Sequence, residues 1–135
     1  MERGITVVSD VKDLGELLSG ASVDQASIVP DGRHVELTVE LTRAILERQV
    51  VVRQGLFKRA KAPWTKCRLT VRKITSVAVK RVTEQEPHDV PILQAEAVSG
   101  GYQLTVHAPD GLQLLLGLDT LDGLFADVGA PIESP

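Results

Sequence analysis

The sequence predicts a mainly β protein: an antiparallel sandwich or small barrel of seven to eight strands, with a short N-terminal helix and a short C-terminal helix. Three observations carry this expectation. Apolar and polar residues alternate strictly from His34 to Thr42, the period of a strand with one buried and one wet face. Turn signals recur at strand-length spacing, as Pro30-Asp31-Gly32, Ser99-Gly100-Gly101 and Pro109-Asp110-Gly111. Strand patterns do not alternate with helical ones, which argues against a parallel sheet with crossover helices.

Taken in order, residues 4–8 read as a short strand. Ser9 or Asp10 can cap a helix whose apolar positions Val11, Leu14, Leu17 and Leu18 share one face, with Gly20 ending it. A weaker strand over 22–29 turns at Pro30-Asp31-Gly32 into the alternating strand 34–42. Residues 43–48 form a short helical or irregular link. Residues 48–57 contain Val50, Val51 and Val52, apolar on both faces, and 58–63 read as an exposed basic loop.

Residues 65–74 alternate again, with Cys67, Leu69 and Val71 on one face and Arg68, Thr70 and Arg72 on the other. A short turn leads to a strand over 76–82. A polar loop at 83–91 precedes a hairpin of 92–98 with 102–108, and 112–118 follows as a strand. Asp119 or Thr120 then caps a helix in which Leu121, Leu124, Phe125 and Val128 fall at i, i+3, i+4 and i+7, stopped by Gly129. Residues 1–135 make a single domain on this reading, with a frayed tail over 129–135.

Composition narrows the function. Residues 1–10 lack a cationic flank and a long apolar run, so they do not read as a secretory signal, and no stretch approaches the roughly 18 apolar residues of a membrane span. With one cysteine, Cys67, there is no internal disulfide framework, and a cytoplasmic setting follows. Aromatics are only 3% of the chain, too few for the stacking platforms that grip single-stranded nucleic acid.

The net charge of −3 hides strong segregation. Residues 1–47 hold nine acids and four bases, residues 48–81 hold eleven bases and no acid, and residues 82–135 hold nine acids and no base. The basic block is therefore the candidate site, for an anion or an acidic partner, through Lys58, Arg59, Lys61, Lys66, Arg68, Arg72 and Lys73. The alternative is neutralisation within the fold, with Arg68 and Arg72 opposite acids such as Glu84, Glu86 or Glu96.

The segment Gln54-Gly55-Leu56-Phe57-Lys58-Arg59, a short basic loop, then Trp64-Thr65-Lys66-Cys67-Arg68-Leu69-Thr70-Val71 resembles the first hairpin of a pleckstrin-homology domain. In that family such a hairpin can hold an anionic lipid headgroup, which the resemblance would assign to Lys58, Arg59, Lys66 and Arg68. The likeness covers 18 of 135 residues. It departs from the family in that some 50 residues precede the hairpin and the C-terminal helix is short.

The histidines His34, His88 and His107 share no metal-ligand spacing with one another or with Cys67, so no metal and no cofactor are expected. His88-Asp89 has no marked nucleophile beside it. Leu115 and Val51 lie in strands apolar on both faces and need cover, from a helix or from a second subunit.

Together these features predict a non-enzymatic protein-interaction or assembly module with a basic central surface, self-associating as a homodimer and able to meet an acidic protein partner. The alternative is a peripheral binder of anionic lipid or nucleic acid through the 58–73 segment. An enzyme of unknown class is third.

Overall fold

The computed structural model describes residues 2–48, 50–55, 57–81, 92–107 and 111–132, and of residues 46, 50–54 and 57–61 the backbone. The chain is mainly antiparallel β. Its strands are β1 (Glu2–Ile5), β2 (Ser22–Asp31), β3 (His34–Ala44), β4 (Val50–Gln54), β5 (Phe57–Lys61), β6 (Trp64–Arg81), β7 (Leu93–Val98), β8 (Gly101–His107), β9 (Leu112–Leu118) and β10 (Gly123–Asp127). One helix, α1 (Val8–Leu17), follows β1, and a 3₁₀ turn at Leu46–Arg48 forms the link after β3.

The predicted N-terminal helix is present, but its cap differs. Val7 is the N-cap, and Asp10 in the first turn accepts from the backbone N–H groups of Thr6 (3.0 Å) and Val7 (3.2 Å). A carboxylate at a helix N-terminus satisfies donors that the helix leaves free.

β6 is the spine of the eight-stranded sheet. Ile74 is the Cα partner of both Val35 on β3 and Leu118 on β9, so those strands lie on opposite edges of β6. β3 and then β2 extend one edge. The other edge carries β10 beside Cys67–Val71, with β1 beyond it, and β9 beside the second half, with β8 and β7 beyond.

The expected break between two strands near residue 75 is instead a bulge within one 18-residue strand. Between Val71 and Ile74 β6 spends one residue more than β3, and Lys73 there adopts φ +59°. Such a bulge bends and twists its strand. A second register shift between Ile74 and Ser76 adds to the bend.

The sheet curls. α1 packs on both β1 and β7, which stand at the two ends of the strand order, so the ends must approach a common helix. The enclosed core draws on every layer: Val11, Leu14 and Leu18 of α1, Leu37, Val39 and Leu41 of β3, Cys67, Leu69 and Val71 of β6, with Leu104, Leu116 and Phe125.

The C-terminal helix expected from Asp119 is not formed. Gly123–Asp127 is strand β10, paired with β6 on one edge and β1 on the other. Leu121, Gly123 and Phe125 are buried at alternate positions, whereas Val128 of the helical stripe is 48% exposed. Beyond β10 the chain runs antiparallel to the start of β6 as far as Ile132, which exchanges backbone hydrogen bonds with Trp64.

Leu115 is half-buried on the outer face of β9, and Val51 is the Cα partner of Ala60 in the β4–β5 hairpin. The 83–91 loop, with His88, Glu84 and Glu86, lies outside the described residues, as does Pro109-Asp110.

Candidate functional site

The seven candidate bases divide into two groups with different surroundings. Lys66, Arg68, Arg72 and Lys73 are all on β6, and each meets a carboxylate. Strand alternation puts Lys66 and Arg68 on the outer face, where Glu40 of β3 is in register with Arg68 and Asp24 stands at the irregularity of β2 between Val23 and Gln25. Lys66 Nζ donates to Thr42 Oγ1 (2.7 Å) and Asp24 Oδ2 (3.1 Å), while Thr42 Oγ1 donates to the same Asp24 oxygen (2.6 Å). Burial pulls the Asp24 carboxyl up, but the Thr42 and Lys66 hydrogen bonds outweigh it and hold the group below its ordinary range.

Arg68 Nε donates to Glu40 Oε1 at 2.7 Å, across the pairing of Glu40 with Arg68. At the bulge, Arg72 Nη2 and Lys73 Nζ share Asp122, at 3.3 and 3.6 Å. Among the described residues the neutralising acids are Asp24, Glu40 and Asp122 rather than Glu96, while Glu84 and Glu86 lie outside those residues. Exposed pairs of this kind stabilise little, at most about 1 kcal/mol each. Their larger effect is to cancel the field of the strand, which leaves little free charge on β6 between Lys66 and Lys73.

Lys58, Arg59 and Lys61 belong to the other group. The basic loop expected over 58–63 is largely a strand, β5, paired with β4 through a turn at Gly55. Gly55 has φ +59°, a conformation glycine adopts without the cost of a Cβ. The β4–β5 hairpin forms its own two-stranded sheet and shares no ladder with the eight-stranded one among the described residues. Its register opposes Arg53 to Lys58, Val52 to Arg59 and Val50 to Lys61.

This pairing also corrects the pleckstrin-homology resemblance. The hairpin of that family would pair the strand at 54–59 with the strand from Trp64. Here β5 pairs with β4, while β6 pairs with β3, β9 and β10.

Other candidate chemistry is sparse among the described residues. They contain no group of three or more His, Cys, Asp or Glu able to hold a metal. His34 opens β3 and His107 closes β8, two strands that do not pair. His107 Nε2 is buried with no hydrogen-bond partner among the described residues. Between β1 and α1 lies a recess of about 170 Å³ lined by Arg3, Gly4, Ile5, Asp10, Asp13 and Leu14. That is smaller than the roughly 300–1,000 Å³ of small-molecule sites, and Asp10 there already accepts from the Thr6 and Val7 amides. No helix among the described residues is long and apolar enough to cross a membrane.

Sequence reasoning missed one charged cluster. Arg43 is 1% exposed and donates to Asp127 through Nε (3.1 Å) and Nη2 (2.9 Å), and to Glu47 through Nη2 (3.0 Å). The signal was present: Leu37, Val39, Leu41 and Arg43 share the buried parity of β3. Burial alone would lower the basicity of the guanidinium, but the hydrogen bonds and charges of Asp127 and Glu47 raise it above its ordinary value. A group so fully engaged is structural.

No protein-family model matches this chain, and neither a curated protein nor a solved structure matches it.

Proposed function

We propose that the protein is a non-enzymatic, cytoplasmic interaction module that presents the β4–β5 hairpin to an acidic protein partner. The observation behind this reading is the contrast between the two basic groups. Lys66, Arg68, Arg72 and Lys73 of β6 are already paired within the chain, whereas the hairpin spanning residues 50–61 carries Arg53, Lys58, Arg59 and Lys61, no acid, and among the described residues no ladder to the main sheet. An isolated two-stranded ribbon is marginal in water, and like charges directly opposed across strands, as Arg53 and Lys58 are in register, weaken it further. A partner supplying carboxylates would relieve that repulsion and order the ribbon. Hairpin apolar residues such as Val50, Val52 and Phe57 suit a polypeptide surface better than a purely ionic one.

The test compares binding to poly-glutamate, to phosphatidylserine vesicles and to duplex DNA, at about 50 and 200 mM salt. The expected result is binding to poly-glutamate at low salt that fades at the higher. It should be lost in Lys58→Ser/Arg59→Ser/Lys61→Ser and kept in Lys66→Ser/Arg68→Ser. Preference for vesicles or DNA would favour the peripheral-binder alternative, and loss in the β6 variant alone would return the site to β6.

A further inference from the structure

The second half of β6 is the one stretch of that strand whose pairing stops short. From Trp64 to Ile74 both edges of β6 are flanked, by β3 on one side and by residues 128–132, β10 and then β9 on the other. From Thr75 to Arg81 only the β9 edge is paired among the described residues. A row of backbone donors and acceptors is therefore open, the usual template for adding another strand.

The side chains along that edge are unusual for exposed positions. Val77 and Val79 are in register with Leu116 and Leu114, both buried, so they stand at core-face positions. Yet they are 37% and 61% exposed. Natural edges are normally blunted with charge facing the core side or with proline. Here Lys80 falls on the outer parity, with Ala78, and the core-side parity carries Val77 and Val79, with Arg81 only at the strand's last position.

We propose that this edge joins a second copy of the chain, β6 against β6 in antiparallel fashion about a two-fold axis at Ala78. The order Ser76-Val77-Ala78-Val79-Lys80 is self-complementary only about that point. A two-fold perpendicular to the sheet keeps each residue and its copy on one face, so the axis must pass at a residue. Centred on Ala78, Val77 faces Val79 of the copy and Val79 faces Val77, while Lys80 faces Ser76 and Arg81 faces Thr75. Apolar meets apolar, and no base meets a base. Centred on Val79, Arg81 would lie opposite Val77. Centred on Val77, Val79 would lie opposite Thr75.

Lys80 and Arg81 form no ion pair among the described residues and stay free at the rim of the joint, consistent with hydration there. The result is one continuous sheet running through two molecules. The contact is short, below the roughly 1,000 Å² of a permanent interface, so the dimer is concentration-dependent. The inference deepens the expected self-association and is independent of the hairpin, which lies in a separate sheet.

Sedimentation equilibrium from about 1 µM to 1 mM tests it, a range that spans weak affinities. The wild type should move from monomer toward dimer, and Val77→Lys/Val79→Lys should stay monomeric with an unchanged far-UV spectrum. Lys58→Ser/Arg59→Ser/Lys61→Ser should dimerise like wild type, which separates this joint from the hairpin. Ala78→Cys is the positive test. Opposed Cα atoms across an antiparallel pair sit about 4.5–5.5 Å apart, within disulfide range. Oxidised glutathione should therefore link two chains through residue 78 while the buried Cys67 stays reduced. A monomeric mass at 1 mM, a dimer that survives the double lysine substitution, or no cross-link at residue 78 overturns the proposal.

Discussion

Arg43 and Asp127 stand 84 residues apart in the chain and close on one another as a two-point pair, Nε to Oδ1 at 3.1 Å and Nη2 to Oδ2 at 2.9 Å. Arg43 is on β3 and Asp127 on β10, the strands that flank β6, so the pair straps the two across the spine. The same guanidinium reaches Glu47 in the 3₁₀ turn and fixes the link that leaves β3.

The two halves of this pair are not equivalent. Arg43 is 1% exposed, whereas the Asp127 side chain retains 17% and that of Glu47 retains 42%. Removing Asp127 leaves a buried cation with only Glu47 to pair it, while removing Arg43 leaves carboxylates that can hydrate. Asp127→Ala should therefore cost about 3 kcal/mol, the low end for breaking a buried ion pair because Glu47 still meets the guanidinium, and Arg43→Met less. Urea denaturation of the two variants reads the order directly. A larger loss for Arg43→Met would mean that the packing of its stem outweighs its charge.

Acid should loosen the fold at this cluster. For Asp127, burial raises its carboxyl, but the hydrogen bonds and charge of Arg43 prevail and hold it below the ordinary 3.8. Glu47 is held below 4.5, chiefly by its hydrogen bond from Arg43. A depressed carboxyl contributes stability that is complete above its unfolded value and is lost as pH falls through its folded one. Stability should thus be flat from neutrality to about pH 5 and decline below about pH 4. In Arg43→Met the decline should be shallower, and equal slopes in the two proteins would assign the acid sensitivity to other carboxylates.

Cys67 should be inert while the protein is folded. It is fully buried on β6, its Sγ–H points at the Leu41 carbonyl (3.6 Å), and burial pushes its thiol from 9.0 up to about 12. The thiolate is the reactive form, so labelling by a disulfide reagent at pH 8 should follow global unfolding. Because the group is raised, the stability it confers is present below about pH 9 and is lost as pH rises toward 12. Rapid labelling under native conditions would show that the β3–β6 ladder opens locally.

The β class, the N-terminal helix and most strands were legible because alternation and turn residues are local signals. The C-terminal element was misread for a specific reason. Leu121 and Phe125 satisfy both a helical period and a strand period, and the two readings differ only in whether Leu124 and Val128 or Gly123 complete the buried set. The choice was made by long-range pairing: β10 completes the β6 edge, and Gly123 lies where a Cβ would come within 3.1 Å of the Thr70 carbonyl. Phe125 is buried either way, at 0% exposure, and Phe125→Ala should cost about 3–5 kcal/mol by calorimetry. The basic block was legible as charge but not as a surface, since its carboxylate partners come from β2, β3 and the turn before β10, brought alongside only by register.

Lys73 was singled out as a possible anion contact, and its backbone points to a different role. At φ +59° it is the single described non-glycine residue with positive φ, and it sits where β6 bends between its two sets of neighbours. A left-handed conformation costs a residue with a Cβ about 1–2 kcal/mol, and a β-branched side chain more. Lys73→Gly removes that strain but adds freedom to the unfolded chain, so stability should change by no more than about 1 kcal/mol. Lys73→Val keeps the size of the stem yet cannot easily take this φ, and should destabilise by at least about 2 kcal/mol. Loss of the 3.6 Å contact with Asp122 is common to both variants and cancels in the comparison. Thermal unfolding of the two variants should rank glycine above valine, and a valine variant as stable as the glycine one would show that the bend does not depend on the conformation of residue 73.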